Sequence, residues 1–385
     1  APLAIITLCL KDSSRISRLV NEIAQYIKDQ PQTQLCGVAD LHPDIPEQTD
    51  KRYTRAWNLQ NVARLCSERP FSDYCTMLDT VRPDVAYVLC ENSRKLEAAG
   101  EIARRGIDII LEKPMAMNAK EATELVALGA EYHVNIFVNW PVVWRKYIRT
   151  MKNVADSGRF GRLLRLRYLN GHTGPLGIGA RHRGVADTAE DMTDAERSRS
   201  WWYRKDAGGG ACLDILCYGC YFARWMLGGL PQDVMSLCAN LNTPCGDVED
   251  NVAAILRYKN AYATLEGTWT TPRKRIPTGP EAVFSDGVVF CDGIPDGASC
   301  VRAMDLCGNE VDISAFAAET EADRTLRNMP WCYAAFRLDN KPVHETLTAE
   351  FNADVLAMLD AVKKSAESRR AEPVLTVFRE ERNPI

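Results

Sequence analysis

Short, nearly continuous apolar runs alternate with helix-like segments through the first third of this chain, and that alternation limits the fold more than any other feature. The runs cover residues 3–7, 35–40, 84–90, 107–111 and 134–138. Helical spacing fills residues 15–28, 93–105 and 119–132. A strand that is apolar on both faces must be covered on both faces, and helices between successive strands provide the cover. The pattern predicts an α/β fold opening with a Rossmann-type, doubly wound parallel sheet. Ligands of such a sheet bind in the crevice beyond the carboxyl ends of its strands.

The pattern then changes. Residues 164–168 alternate apolar and charged, as in a half-exposed strand. Residues 251–258 and 262–269 flank Lys259-Asn260-Ala261 and read as a hairpin. Residues 282–284 and 288–291 form another around Ser285-Asp286-Gly287. Adjacent hairpins predict a second α/β domain with a large open, mainly antiparallel sheet, one face of which is available to a partner. Residues 351–364 have the spacing of a closing amphipathic helix, and 171–200 reads as a long polar loop of the kind that often carries function. A chain of 385 residues is long enough for two domains. The expected division is 1–141 for dinucleotide binding and 142–385 for substrate binding and oligomerisation.

Composition narrows the function. Apolar residues make up 46% and charged residues 25%, ordinary for a globular protein. A net charge of −4 offers no basic surface for nucleic acid or an anionic membrane. No apolar run approaches the roughly 20 residues that span a bilayer. The 14 cysteines are scattered, which suits thiols in a reducing cytoplasm better than a disulfide framework. Cys217 and Cys220 form a C-x-x-C without a second pair, and they read as small core residues of a helix rather than a metal or redox site.

Asp40 ends the second strand run, where a carboxylate accepts hydrogen bonds from adenosine ribose hydroxyls and repels a 2′-phosphate. This favours NAD over NADP. The first strand does not lead into G-x-G-x-x-G; the sequence runs Lys11-Asp12-Ser13-Ser14-Arg15. Ser13, Ser14 and the amides of the helix start are the groups left to meet a phosphate there. Glu112-Lys113-Pro114 follows a buried strand. It places an ammonium at the ligand crevice, where it can polarise an oxygen and steady an alkoxide. Downstream, Gly208-Gly209-Gly210 allows a close backbone approach to a ligand or another segment. Asp214 and Tyr218 follow at i and i+4, on one face of a helix. A phenol of pKa about 10 becomes a usable base only beside a cation such as Lys113.

These two constellations resemble the Gfo/Idh/MocA oxidoreductase family over almost the whole chain. The anchors are Glu112-Lys113-Pro114 and Gly208-Gly209-Gly210-x-x-x-Asp214-x-x-x-Tyr218. Phe71-Ser72-Asp73-Tyr74, Gly158-Arg159-Phe160-Gly161 and Trp202-Tyr203-Arg204 support them. Tyr218 stands where most members carry histidine, as in the branch similar to glucose–fructose oxidoreductase and dimeric dihydrodiol dehydrogenase. Cys90-Glu91-Asn92-Ser93 replaces the usual Thr-Pro-Asn-x-x-His, with Asn92 the one clear match.

The resemblance implies NAD(P)-dependent hydride transfer at a sugar, glycoside or cyclic polyol, and dimers or tetramers built through the second sheet. It implies Lys113, Asp214 and Tyr218 as the catalytic set, and Asn92, Glu112, Lys113 and Pro114 beside the cofactor. Substrate contacts are expected from Asn139, Trp140, His172 and Arg204, with His182 a further candidate in the long loop. Two other readings remain open. One is a redox-neutral glycosidase or lyase that oxidises the sugar transiently. The other is a non-catalytic sugar-binding protein with an impaired cofactor site, motivated by the missing glycines.

Overall fold

The computed structural model describes residues 3–9, 14–40, 62, 64–65, 70–177, 191–272, 278–292, 300–318 and 320–375. Strands β1 (Leu3–Cys9), β2 (Thr33–Asp40), β3 (Val85–Val88), β4 (Asp108–Glu112) and β5 (Ile136–Asn139) form one parallel sheet in the order β2-β1-β3-β4-β5. β3 and β4 are buried at every position, which is why β3 and the centre of β4, residues 109–111, are apolar without a break. The strand order reverses between β1 and β3, so a crevice opens at the carboxyl ends of those strands. Helix Ser14–Asp29 follows β1, and helix Ala119–Tyr132 follows β4 with Asn118 as its N-cap.

The second sheet contains eight strands in the order β12-β11-β10-β6-β9-β8-β7-β13. They are β6 (Leu163–Gly171), β7 (Asp233–Ala239), β8 (Asn251–Arg257), β9 (Tyr262–Thr268), β10 (Thr278–Phe284), β11 (Gly287–Asp292), β12 (Val301–Asp305) and β13 (Glu372–Pro373). Both hairpins expected from the sequence form, closing at Arg257 opposite Tyr262 and at Phe284 opposite Gly287. The sheet is mixed, because β6 and β9 run parallel as neighbours. Helices Cys217–Leu227 and Ala349–Ser368 pack on one face. Cys217 and Cys220 are buried in the first of these helices, as core residues.

Position 141 separates the two sheets but not the packing. Phe137 of β5 meets the rings of Tyr333 and Phe336 on helix Met329–Asp339. Helix Ala349–Ser368 lies against both helix Ala119–Tyr132 and β7. Its Asp360 accepts a hydrogen bond from the amide of Ala119 at 2.8 Å. Late segments of the chain therefore finish the core begun by the early ones. Among the described residues, no helix is long and apolar enough to cross a membrane.

The Tyr333 hydroxyl donates to Asp108 Oδ2 at 2.9 Å and lies 3.1 Å from the carbonyl of Asp84. Tyr333→Phe keeps the ring and removes the bonds. It should cost about 1.5–3 kcal/mol, because the acceptor is charged. The readout is a lower urea midpoint with an unchanged circular dichroism spectrum; an unchanged midpoint would contradict it.

Candidate active site

Lys113 leaves the end of β4 and crosses to the second sheet unit. Its side chain is 9% exposed, and its ammonium donates to the Asp214 carbonyl at 2.7 Å and to Asp214 Oδ1 at 3.3 Å. The Lys113–Pro114 peptide bond is cis. The same ammonium lies 4.6 Å from the ring centroid of Tyr218. Burial pulls the Lys113 pKa down, but the Tyr218 phenol, the Cys217 thiol and the carboxylates of Asp214 and Glu112 outweigh it. The result lies above the usual lysine value, so Lys113 is a cation.

Asp214 sits in a π-helical turn, Cys212–Leu216, that runs into helix Cys217–Leu227. Single π turns are common at functional positions. The i and i+4 spacing alone predicted a regular helix here, with both side chains on one face. In the structure Asp214 meets Lys113 through its carboxylate and carbonyl, and Tyr218 does so through its ring. The other carboxylate oxygen, Oδ2, lies 3.2 Å from His172 Nε2 and accepts from Trp269 Nε1 at 3.1 Å. These two groups arrive together because β6 and β9 are parallel neighbours, with Gly171 opposite Thr268. One residue further along each strand come His172 and Trp269.

The glycine run serves close packing of chain against chain. A Cβ on Gly209 would stand 2.2 Å from the Trp202 carbonyl oxygen, and Gly210 takes φ +100°. The Gly208 carbonyl accepts from Asn92 Nδ2 at 2.8 Å. Asn92 Oδ1 accepts from Lys95 at 2.8 Å. Both ends of the Asn92 amide are thus held by protein.

The remaining expected residues divide. Glu112 is buried, and Asn139 Nδ2 donates to it at 2.9 Å, while Asn139 Oδ1 accepts from Trp144. Burial pushes the Glu112 carboxyl well up, against the pull of Lys113, Asn139 and Lys95. Trp140 belongs to the core. It is fully buried, donates its indole N–H to Asn352, and packs edge-on against Tyr218. No ring face is left for a sugar, so Trp140 supports the phenol from behind. Arg204 is not brought to the cluster; it is half exposed and paired with Asp206 at 2.6 Å. Ser14 opens its helix and Asp40 ends β2, both at the crevice end of the sheet. Ser13 and His182 lie outside the described residues. Among the described residues, no group of three His, Cys, Asp or Glu could hold a metal.

Sequence reasoning missed Lys95 and Trp269. Lys95 is 1% exposed, and its ammonium donates to Asn92 Oδ1, the Glu112 carbonyl at 2.6 Å and the Pro114 carbonyl. It stands three residues after Asn92, where the usual pattern ends in histidine. That spacing was its only signal.

This geometry coincides with sequence likeness. The description "Oxidoreductase family, NAD-binding Rossmann fold" matches residues 19–140, and "GFO/IDH/MocA C-terminal domain" matches residues 148–289. The chain belongs to the Gfo/Idh/MocA family. Among its relatives, a D-xylose dehydrogenase of Paenarthrobacter nicotinovorans is 27% identical over 175 residues, covering 44% of this chain and 42% of that protein. A 1,5-anhydro-D-fructose reductase of Ensifer adhaerens is 25% identical over 206 residues, covering 53% and 55%. The chain thus spans about half the length of the curated relatives it matches. The family fold extends further: the WlbA dehydrogenase from Bordetella pertussis, solved with NADH and UDP-GlcNAcA, superposes with a TM-score of 0.70 at 19% identity. That superposition covers 97% of this chain and 99% of the other.

A dinucleotide fits the family architecture as this chain builds it. The strand order provides the switch-point crevice, Asp40 ends β2 at that edge, and the start of helix Ser14–Asp29 faces it. Lys95 ties the segment after β3 to the segment after β4 along the same edge. Lys95→Met should leave three buried acceptors unsatisfied and cost about 3 kcal/mol or more. A fall in Tm of several degrees is expected, and a wild-type Tm would show that the tie is dispensable.

Proposed function

We propose that the chain is an NAD(P)-dependent dehydrogenase or reductase acting on a ring hydroxyl or ketone of a sugar, glycoside or cyclic polyol. The observation that carries this reading is the meeting of Lys113, Asp214, Tyr218 and His172 in one cluster, drawn from segments far apart in the chain. The nicotinamide, when bound, takes or gives the hydride. Tyr218 holds and releases the proton of the reacting hydroxyl. Lys113 favours the phenolate by its charge and steadies the oxygen anion that develops on the substrate. Asp214 has both carboxylate oxygens engaged by protein, so it orients Lys113 and His172 and leaves the substrate to them. Asp40 favours NAD over NADP.

The test is a titration of the purified protein with NAD and NADP, then assays at 340 nm against aldoses, glycosides and inositols. Tyr218→Phe keeps the ring against which Trp140 packs. That variant and Lys113→Ala should each lower kcat by roughly 100-fold or more with the fold intact. Near-normal turnover in either would overturn the assignment. Sugar conversion without net absorbance change would point to the redox-neutral reading, and failure to bind either dinucleotide to the non-catalytic one.

The open face of the eight-stranded sheet supports a homo-oligomer. Met235, Leu237, Ile255 and Tyr262 are 58%, 64%, 50% and 43% exposed, with Met235 directly opposite Ile255 across β7 and β8. A contiguous apolar patch of this kind marks an interface. Light scattering should give a dimer or tetramer, and Leu237→Asp with Ile255→Asp should give monomer. A monomeric wild type would refute it.

A further inference from the structure

One end of the eight-stranded sheet brings two thiols together. Cys291 lies on β11, the neighbour of edge strand β12, and is fully buried on the same face as Val289. Val301, the first residue of β12, stands directly opposite it. Cys300 precedes Val301 and lies outside the strand. Successive residues of a strand point to opposite faces. Had β12 begun one residue earlier, Cys300 would face away from Cys291. The chain is not yet extended there, and the Cys300 sulfur comes round to 2.8 Å from the Cys291 sulfur.

The two sulfurs are not equivalent. The Cys291 S–H donates to Cys300 Sγ. Burial pushes the Cys291 thiol up, and the hydrogen bond to Cys300 adds to the push, so Cys291 keeps its proton. Cys300 is only partly covered, so a small solute meets it first. Other buried thiols are placed differently. Cys217 donates to the Asp214 carbonyl at 3.4 Å, and Cys332 to the Thr325 carbonyl at 3.1 Å.

We propose that Cys291 and Cys300 form an oxidation site, at which hydrogen peroxide converts the two thiols into a disulfide that pins the edge strand to its neighbour. The Cys300 thiolate attacks one peroxide oxygen. An S–O bond forms, the O–O bond breaks and hydroxide leaves, so Cys300 becomes a sulfenic acid. The Cys291 sulfur then attacks the Cys300 sulfur. The S–S bond forms, the S–O bond breaks, and the departing hydroxide takes the Cys291 proton as water. Two thiols lose two electrons in all, and one peroxide becomes two waters. A disulfide is about 2.05 Å long, so the sulfurs close by roughly 0.8 Å from where they stand. In a reducing compartment the pair rests as two thiols, and a cellular thiol reverses the bond.

Both cysteines fall in one tryptic peptide, residues 276–302, which holds no other cysteine. The full chain is reduced, freed of reductant, exposed to a slight excess of hydrogen peroxide and then alkylated. That peptide should stay unalkylated and weigh two hydrogens less. Further cleavage before its aspartates should leave the two cysteine pieces joined until dithiothreitol is added. Cys291→Ala should stop at a Cys300 sulfenic acid that dimedone traps, and Cys300→Ser should leave Cys291 a thiol. Oxidised wild type should melt roughly 5 °C above the reduced protein, because the link restricts the unfolded chain. Neither variant should show that rise. A fully alkylated peptide, a link from Cys300 to Cys307 or between two chains, or a sulfenic acid on Cys291 in Cys300→Ser would overturn the proposal. So would oxidised wild type that melts no higher than reduced, since a bond formed only after the edge opens is not the one this geometry makes.

Discussion

The ammonium of Lys113 is the contact on which the rest of this structure depends. It leaves the parallel sheet at the end of β4 and ends on the carbonyl and carboxylate of Asp214, which belongs to the other sheet unit. A cation covered to this degree is tolerated only where acceptors meet it. The two units therefore have one relative placement that satisfies it, and that placement also sets Tyr218 against the ammonium. A second tie runs beside the first, through Lys95, Asn92 and the Gly208 carbonyl. The pocket is shaped by charges that need each other across a boundary between units.

Its electrostatics are graded. Lys113 and Asp214 neutralise one another at the centre, and His172 and Trp269 complete the carboxylate's shell. Glu112 and Lys95 lie deeper, each displaced by burial toward its neutral form, with Asn139 and backbone carbonyls holding them. Paired and hydrogen-bonded charges set the frame of the site.

Much of the architecture was legible because burial writes itself into periodicity. β3 and the centre of β4 are covered on both faces and read as unbroken apolar runs. β8 alternates buried and exposed residues and reads as half-open. β7 was harder, since its exposed face carries methionine and leucine and so lacks the polar alternation that marks an ordinary surface strand. The Lys113, Asp214 and Tyr218 set could be read from two short motifs. Spacing could not reveal the π turn, because the extra residue per turn leaves no mark in residue type. Lys95 and Trp269 escaped because their roles come from strand register and from carbonyls supplied by distant segments. The buried setting of Trp140 was equally hard to read, since its partner, Asn352, lies 212 positions away.

Helix Ala349–Ser368 buttresses both sheets, and its position in the chain matters for how the protein is made. During synthesis the parallel sheet emerges before this helix, so part of its cover is encoded well downstream of its last strand. The nascent sheet must wait, with an apolar flank open to solvent, until residues 349–368 have left the ribosome. Maturation of the two halves is thus a single late event, and a ribosome that stalls before that helix would leave a product exposed to chaperone capture.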